Sequence, residues 1–136
     1  TGSGASATNY DFAYVPGTLT ITRALLTVTA DNASREYGLA NPVFTGTISG
    51  LRNGDTASVV SGLVYGTNAG ISSNVGTYAI TGSGGSAANY DFAYVPGTLT
   101  ITRALLTVTA DGKTREYGLA NPALTSTISG LRNGDT

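Results

Sequence analysis

The sequence contains no cysteine, histidine, methionine or tryptophan. Without cysteine no disulfide can staple the fold, and thiol usage does not report the compartment. Without cysteine or histidine the ordinary zinc and copper ligand sets are excluded. A serine nucleophile would lack an imidazole base, and no G-x-S-x-G elbow occurs. Charge is also scarce, at 11% of residues with a formal net charge of −1. No basic run offers phosphates a footing, so nucleic acid is not an expected partner. The first lysine is Lys113, so residues Leu25–Ala104 cannot form an internal lysine–asparagine cross-link. No apolar run approaches the ~20 residues that cross a bilayer, so no membrane insertion is expected in this segment. No signal-peptide pattern is visible either.

What the chain has instead is glycine, 19 residues of it, with abundant serine and threonine among 40% apolar residues. That balance suits short strands, tight turns and neutral polar faces. Apolar and polar residues alternate with a period of two through Thr18–Thr22, the mark of a half-buried strand. Alternation resumes in the opposite phase at Leu26, Val28 and Ala30. A one-residue phase shift turns the apolar set to the other face. Pro16–Asp31 therefore reads as one nearly continuous strand, with Leu19 and Ile21 in one core and Leu26 and Val28 in the next.

An internal repeat supports that reading. Thr1–Thr56 aligns with Thr81–Thr136 without a gap, at a period of 80 residues and with eight differences. NYDFAYVPGTLTITRALLTVTAD, REYGLANP and TISGLRNGDT are identical in both copies. With the boundary in the junction strand, residues 25–104 form one complete repeat. Residues 1–24 are the C-terminal hairpin of a preceding repeat, and residues 105–136 the N-terminal part of a following one. The chain is accordingly expected to be a piece of a longer array. Residues 57–80 occur once, so neither partial copy can build a whole domain alone.

Within the complete repeat every segment reads as strand or turn. Strands are expected at Leu25–Ala30, Val43–Ile48, Ala57–Tyr65 and Val75–Thr81, with a short extended Arg35–Gly38. Tyr90–Val95 and Thr98–Thr102 are expected to close as a hairpin about Pro96–Gly97. Asn53–Gly54 is a strong tight-turn signal. The expected fold is all-β: tandem small immunoglobulin-like β-sandwiches joined by a continuous strand. A β-grasp-like arrangement, with residues 49–58 forming a helical turn, is the alternative. Tyr37 and Tyr78 are expected to be largely buried, with hydroxyls bonded to backbone. Gly76-Thr77-Tyr78 has the form of a tyrosine corner.

The order LTVTAD, REYGLANP, SGLRNGD, VGTYAI and NYDFAYVPGTLTI resembles the MBG domain family of the Tyr-Gly-x type. The matching positions include Tyr37, Gly38, Asn41, Pro42, Gly50, Leu51, Asn53, Gly54, Asp55, Gly76, Tyr78, Tyr90 and Gly97. The resemblance covers the complete repeat and both partial copies. It implies a structural repeat of an extracellular bacterial adhesin, on the cell surface or secreted, resembling filamentous haemagglutinin. It implies no enzyme activity, no catalytic residues, no metal and no cofactor. The partners it implies are other copies of the repeat, in the same chain or in neighbouring chains. Surface glycans are the alternative partner, bound weakly and repeatedly.

Four acids offer themselves in the complete repeat: Asp31, Glu36, Asp55 and Asp91. They lie on separate turns and strand ends, where acid–base catalysis would need them paired. Asp31 and Glu36 flank the junction, but calcium wants six to eight oxygens and Arg35 intervenes. Asp55, following Asn-Gly, reads as a turn residue bonded to backbone. Tyr90, Phe92 and Tyr94 (with Tyr10, Phe12 and Tyr14) read as a packed aromatic row, with a sugar platform as the functional alternative.

Overall fold

The computed structural model describes residues 1–136, and the chain is all-β apart from one 3₁₀ turn at Ala57–Val59. The complete repeat carries seven strands: β1 (Ala24–Ala30), β2 (Ala33–Glu36), β3 (Gly46–Ser49), β4 (Val64–Thr67), β5 (Gly76–Ser83), β6 (Tyr90–Val95) and β7 (Gly97–Thr102). They form a three-stranded sheet, β3-β1-β6, and a four-stranded sheet, β2-β7-β5-β4. A separate two-stranded ladder joins β8 (Thr107–Ala110) to β9 (Ser126–Ser129). The two larger sheets meet where β1 and β6 contact β5, the layer arrangement of a small β-sandwich. Gly82 marks the closeness of that approach: a side chain there would meet Val28, Tyr65 and Tyr94.

Alternation dictates what each strand buries. On β1, Leu26, Val28 and Ala30 are buried; on β7, Leu99 and Ile101 are. Ile80 of β5 and Ala69 complete the cluster with Ala30, Leu99 and Ile101, and Phe44, Tyr65 and Tyr78 pack around it. The alternating apolar positions of the junction strand, Leu25 apart, thus lie in cores when their own repeat is whole.

The connectivity departs from the expected one. β6 and β7 are not a hairpin: β6 pairs with β1, whereas β7 pairs with β2 and β5 in the other sheet. Pro96 lies between them, and it has no N–H for either ladder. β1 and β2 switch sheets in the same way across Asp31–Asn32. Both β1–β6 and β2–β7 are parallel, unlike the antiparallel sheets of an immunoglobulin constant domain. The expected strand at Ala57–Tyr65 is a 3₁₀ turn, a lone bridge from Ser61 to Ser86, and β4. The expected turn at Asp31–Ser34 is shorter, because Ala33 and Ser34 already pair with Leu99 and Thr100.

The continuous junction strand is also corrected. Residues 1–23 form no strand, and Leu19 and Ile21 are 86% and 89% exposed. Their equivalents Leu99 and Ile101 are buried because β2 and β5 flank β7. No strand flanks residues 18–22 as β2 and β5 flank β7. At the second junction β7 ends at Thr102 and β8 begins at Thr107, leaving residues 103–106 unpaired. Ala24–Leu26 are strand because β6 lies beside them, and Ala104–Leu106 lack that neighbour.

Candidate functional site

The residues that stand out lie at the second junction, and the motif REYGLANP builds half of it. Arg35 is only 7% exposed. Pairing of β2 with β7 sets Arg35 opposite Ile101. The Arg35 guanidinium donates from Nε to Asn41 Oδ1 at 2.8 Å and from NH2 to the Gly70 carbonyl at 2.6 Å. Asn41 Nδ2 donates to the Ala69 carbonyl at 2.8 Å. A buried cation thus ends on neutral acceptors, and two of the bonds, Arg35 to Gly70 and Asn41 to Ala69, tie residues 69–70 to the motif. The next carbonyl, that of Ile71, is left at the surface in a fixed place.

Tyr37-Gly38 then turns the chain, with Leu39 N–H donating to the Glu36 carbonyl at 3.3 Å. Gly38 sits at φ +82°, the left-handed region that favours glycine. It also lies beneath the side chain of Arg132, and a Cβ at Gly38 would stand 2.5 Å from Arg132 Cβ.

The other half is LRNGD of residues 105–136. Its turn places Asn133 at φ 55° and Gly134 at φ 74°, and Asp135 N–H donates to the Arg132 carbonyl at 2.9 Å. Four side-chain bonds then cross between the repeats. Arg132 donates to the Tyr37 carbonyl at 3.0 Å and to Glu36 Oε2 at 2.9 Å. The Tyr37 hydroxyl donates to Asp135 Oδ2 at 3.0 Å, and Asn133 Nδ2 donates to the Ile71 carbonyl at 2.9 Å. Beneath them lies a cleft of about 250 Å³ lined by Val75, Ala104, Leu106 and Leu131 among others.

The same motif works differently within the complete repeat. There the Tyr90 hydroxyl donates to Asp55 Oδ2 at 2.6 Å and accepts the Arg52 N–H at 3.0 Å. The hydrogen bond to the Asp55 carboxylate raises the Tyr90 phenol above its ordinary value, since the neutral form is the donor. The first LRNGD turn thus receives β6 of its own repeat, the second seats on the Tyr-Gly turn of the repeat before, and the aspartate Oδ2 accepts a tyrosine hydroxyl in both.

The sequence candidates fall as follows. Glu36 belongs to the junction. Asp55 bonds the Tyr90 hydroxyl through its side chain, not backbone, because β6 brings that hydroxyl to the turn. Asp31 accepts from Thr45 Oγ1 at 2.7 Å, and Asp91 lies 3.7 Å from Arg23. No three acids stand together as metal ligands would. Tyr78 is half-buried and its hydroxyl donates to the Asn74 carbonyl at 2.8 Å, as expected of a corner. Tyr37 departs from expectation: its hydroxyl goes to a carboxylate of the following repeat. Phe92 and Tyr94 stack at 6.1 Å, with the Tyr94 hydroxyl accepting from Gly85 N–H at 3.0 Å.

Sequence reasoning missed Arg35, Arg132 and Asn133 as a set. The signal was the word-for-word identity of REYGLANP and LRNGDT between copies, which propensity for turns alone does not require.

The MBG domain (YGX type) family matches residues 26–100 and 106–136. No curated protein and no solved structure matches the chain.

Proposed function

The chain belongs to the MBG domain family of the YGX type, and on that premise we propose that it is a structural repeat of an extracellular bacterial adhesin stalk or filament. The observation that carries this reading is the seating of Arg132, Asn133 and Asp135 on Glu36, Tyr37 and Ile71. A flexible linker lets neighbours wander. A four-residue connection with four crossing hydrogen bonds holds both angle and rotation. The Tyr-Gly turn and the LRNGD turn each occur twice in this sequence, so the same geometry can stack repeat upon repeat. The carbohydrate-binding alternative has less support, because the Tyr90 ring is buried and the Tyr94 hydroxyl is engaged.

The test is Arg132→Ala in the 136-residue chain, read by backbone relaxation. In the parent chain β8–β9 is expected to tumble with the complete repeat. In the variant it is expected to reorient independently, while the unfolding midpoint of the complete repeat stays put. Independent reorientation of β8–β9 already in the parent chain would sink the rigid-rod reading. Retention of the chain on a glycan array, abolished by Tyr94→Ala, would instead favour carbohydrate binding.

A further inference from the structure

Asn133-Gly134 is both the turn that seats on the preceding repeat and a dipeptide open to attack on itself. A five-membered ring closes when the backbone nitrogen after an asparagine attacks the side-chain amide carbon. A side chain on the following residue crowds that nitrogen. Gly134 has none, and even an added Cβ would meet nothing within 4 Å. Asn133 is exposed, so water reaches the site.

We propose that Asn133-Gly134 is a self-modification site guarded by the junction. The Gly134 nitrogen attacks Asn133 Cγ. The new C–N bond closes a succinimide, and Nδ2 leaves as ammonia, taking the Gly134 amide proton. Water then opens either ring carbonyl and leaves aspartate or isoaspartate. Docking opposes the first step. Asn133 Nδ2 is held by the Ile71 carbonyl at 2.9 Å. The turn is fixed on both sides of it, by Arg132 on Glu36 and Tyr37 and by Asp135 under the Tyr37 hydroxyl. Swinging Cγ onto the Gly134 nitrogen breaks the bond to Ile71, so the reaction runs through the undocked state. The product cannot dock as before. A carboxylate has no N–H to give the Ile71 carbonyl, and it brings negative charge beside that acceptor. Isoaspartate also adds a backbone atom to the turn that Asp135 N–H closes on the Arg132 carbonyl. A junction that stays closed keeps its asparagine, and one that stays open becomes a lasting loose connection.

Peptide mapping by mass spectrometry, in warm and mildly alkaline buffer, follows ammonia loss at Asn133 and at Asn53. Asn53-Gly54 has nearly the same backbone, with φ 57° and 73°, and serves as the internal reference. Gly38→Ala frees the turn without altering residues 132–136. Because reaction scales with the open population, Asn133 is expected to convert about fivefold or more faster in Gly38→Ala than in the parent chain, with Asn53 unchanged. Glu36→Ala with Tyr37→Phe removes two crossing bonds and keeps the glycine. It is expected to shift Asn133 the same way, and it covers the case where Gly38→Ala unfolds the repeat. Asn133→Asp, which carries the product side chain, is expected to let β8–β9 reorient independently in relaxation measurements. Equal Asn133 rates in the parent and both variants overturn the inference. So does an Asn133→Asp chain whose β8–β9 tumbles with the complete repeat. The guard rests on the docked junction of the proposed rod, and the two fail distinguishably. Independent reorientation already in the parent sinks both, whereas a docked parent with equal rates sinks only the self-modification.

Discussion

Two tyrosine hydroxyls, those of Tyr78 and Tyr90, tie strands to turns, and they differ in what they are worth. Tyr78 donates to one backbone carbonyl, so Tyr78→Phe is expected to lower stability by about 0.5–1.5 kcal/mol, the net value of one neutral bond. Denaturant unfolding measures it. Tyr90 serves a carboxylate and a backbone N–H at once, so Tyr90→Phe is expected to lower the midpoint further than Tyr78→Phe. The Tyr65 phenol is raised by burial and by the Asp31 carboxylate; the Tyr90 phenol is raised chiefly by its bond to Asp55. A phenol raised on folding holds its proton more tightly in the folded chain. Its contribution is intact below the unfolded value of about 10 and is lost as pH rises through the folded one. Alkaline spectrophotometric titration is therefore expected to show Tyr65 and Tyr90 ionising last, together with loss of structure. Deletion of the late component by Tyr90→Phe checks the assignment.

The repeat supplies its own controls at the level of elements. β7 begins at Gly97, where an added Cβ would stand 2.6 Å from the carbonyl oxygens of Ala30 and Asp31. Those atoms belong to the corner at which β1 becomes β2, and backbone cannot step aside as a flexible side chain can. Gly97→Ala is expected to cost about 1–3 kcal/mol, the scale of overpacking. Gly17, its equivalent in the first copy, has nothing within 4 Å, so Gly17→Ala is expected to stay within about 0.5 kcal/mol. A second pair separates turn strain from docking. Gly38 and Gly118 share positive φ, but only Gly38 lies under Arg132. Both alanine variants strain a turn, and only Gly38→Ala is expected to free β8–β9 in relaxation measurements.

For the whole molecule, the junction decides whether repeats add length in a fixed direction. Its ion pair is partly exposed, with Arg132 and Glu36 side chains at 31% and 50%. Such a pair contributes about 0.2–1 kcal/mol and is weakened by salt. The neighbouring bonds from Asn133 and Tyr37 carry no full ion pair and are less sensitive. Small-angle scattering is therefore expected to show an extended arrangement that survives moderate salt. Arg132→Ala combined with Asn133→Ala is expected to broaden the distribution of distances. An unchanged distribution in that double variant would mean the connection alone sets the angle.

Much of this was legible in the chain itself. Alternation marked Leu26, Val28, Leu99 and Ile101 as core residues, because facing in a strand follows a strict period of two. The spacing of identical blocks gave the 80-residue repeat, and missing residue types narrowed the chemistry. Asn53-Gly54 announced a turn because left-handed backbone needs such residues. Pairing was not legible. Whether Tyr90–Thr102 folds on itself or divides between two sheets depends on which strands lie alongside, and Pro96 permits either. The exposure of Leu19 and Ile21 likewise follows from absent neighbours, since the same residues are buried eighty positions later. The junction was hidden for a related reason. Arg132 and Glu36 are 96 residues apart, and only the tertiary fold, by clamping Ala69 and Gly70 to Arg35 and Asn41, sets the surface on which one turn meets the next.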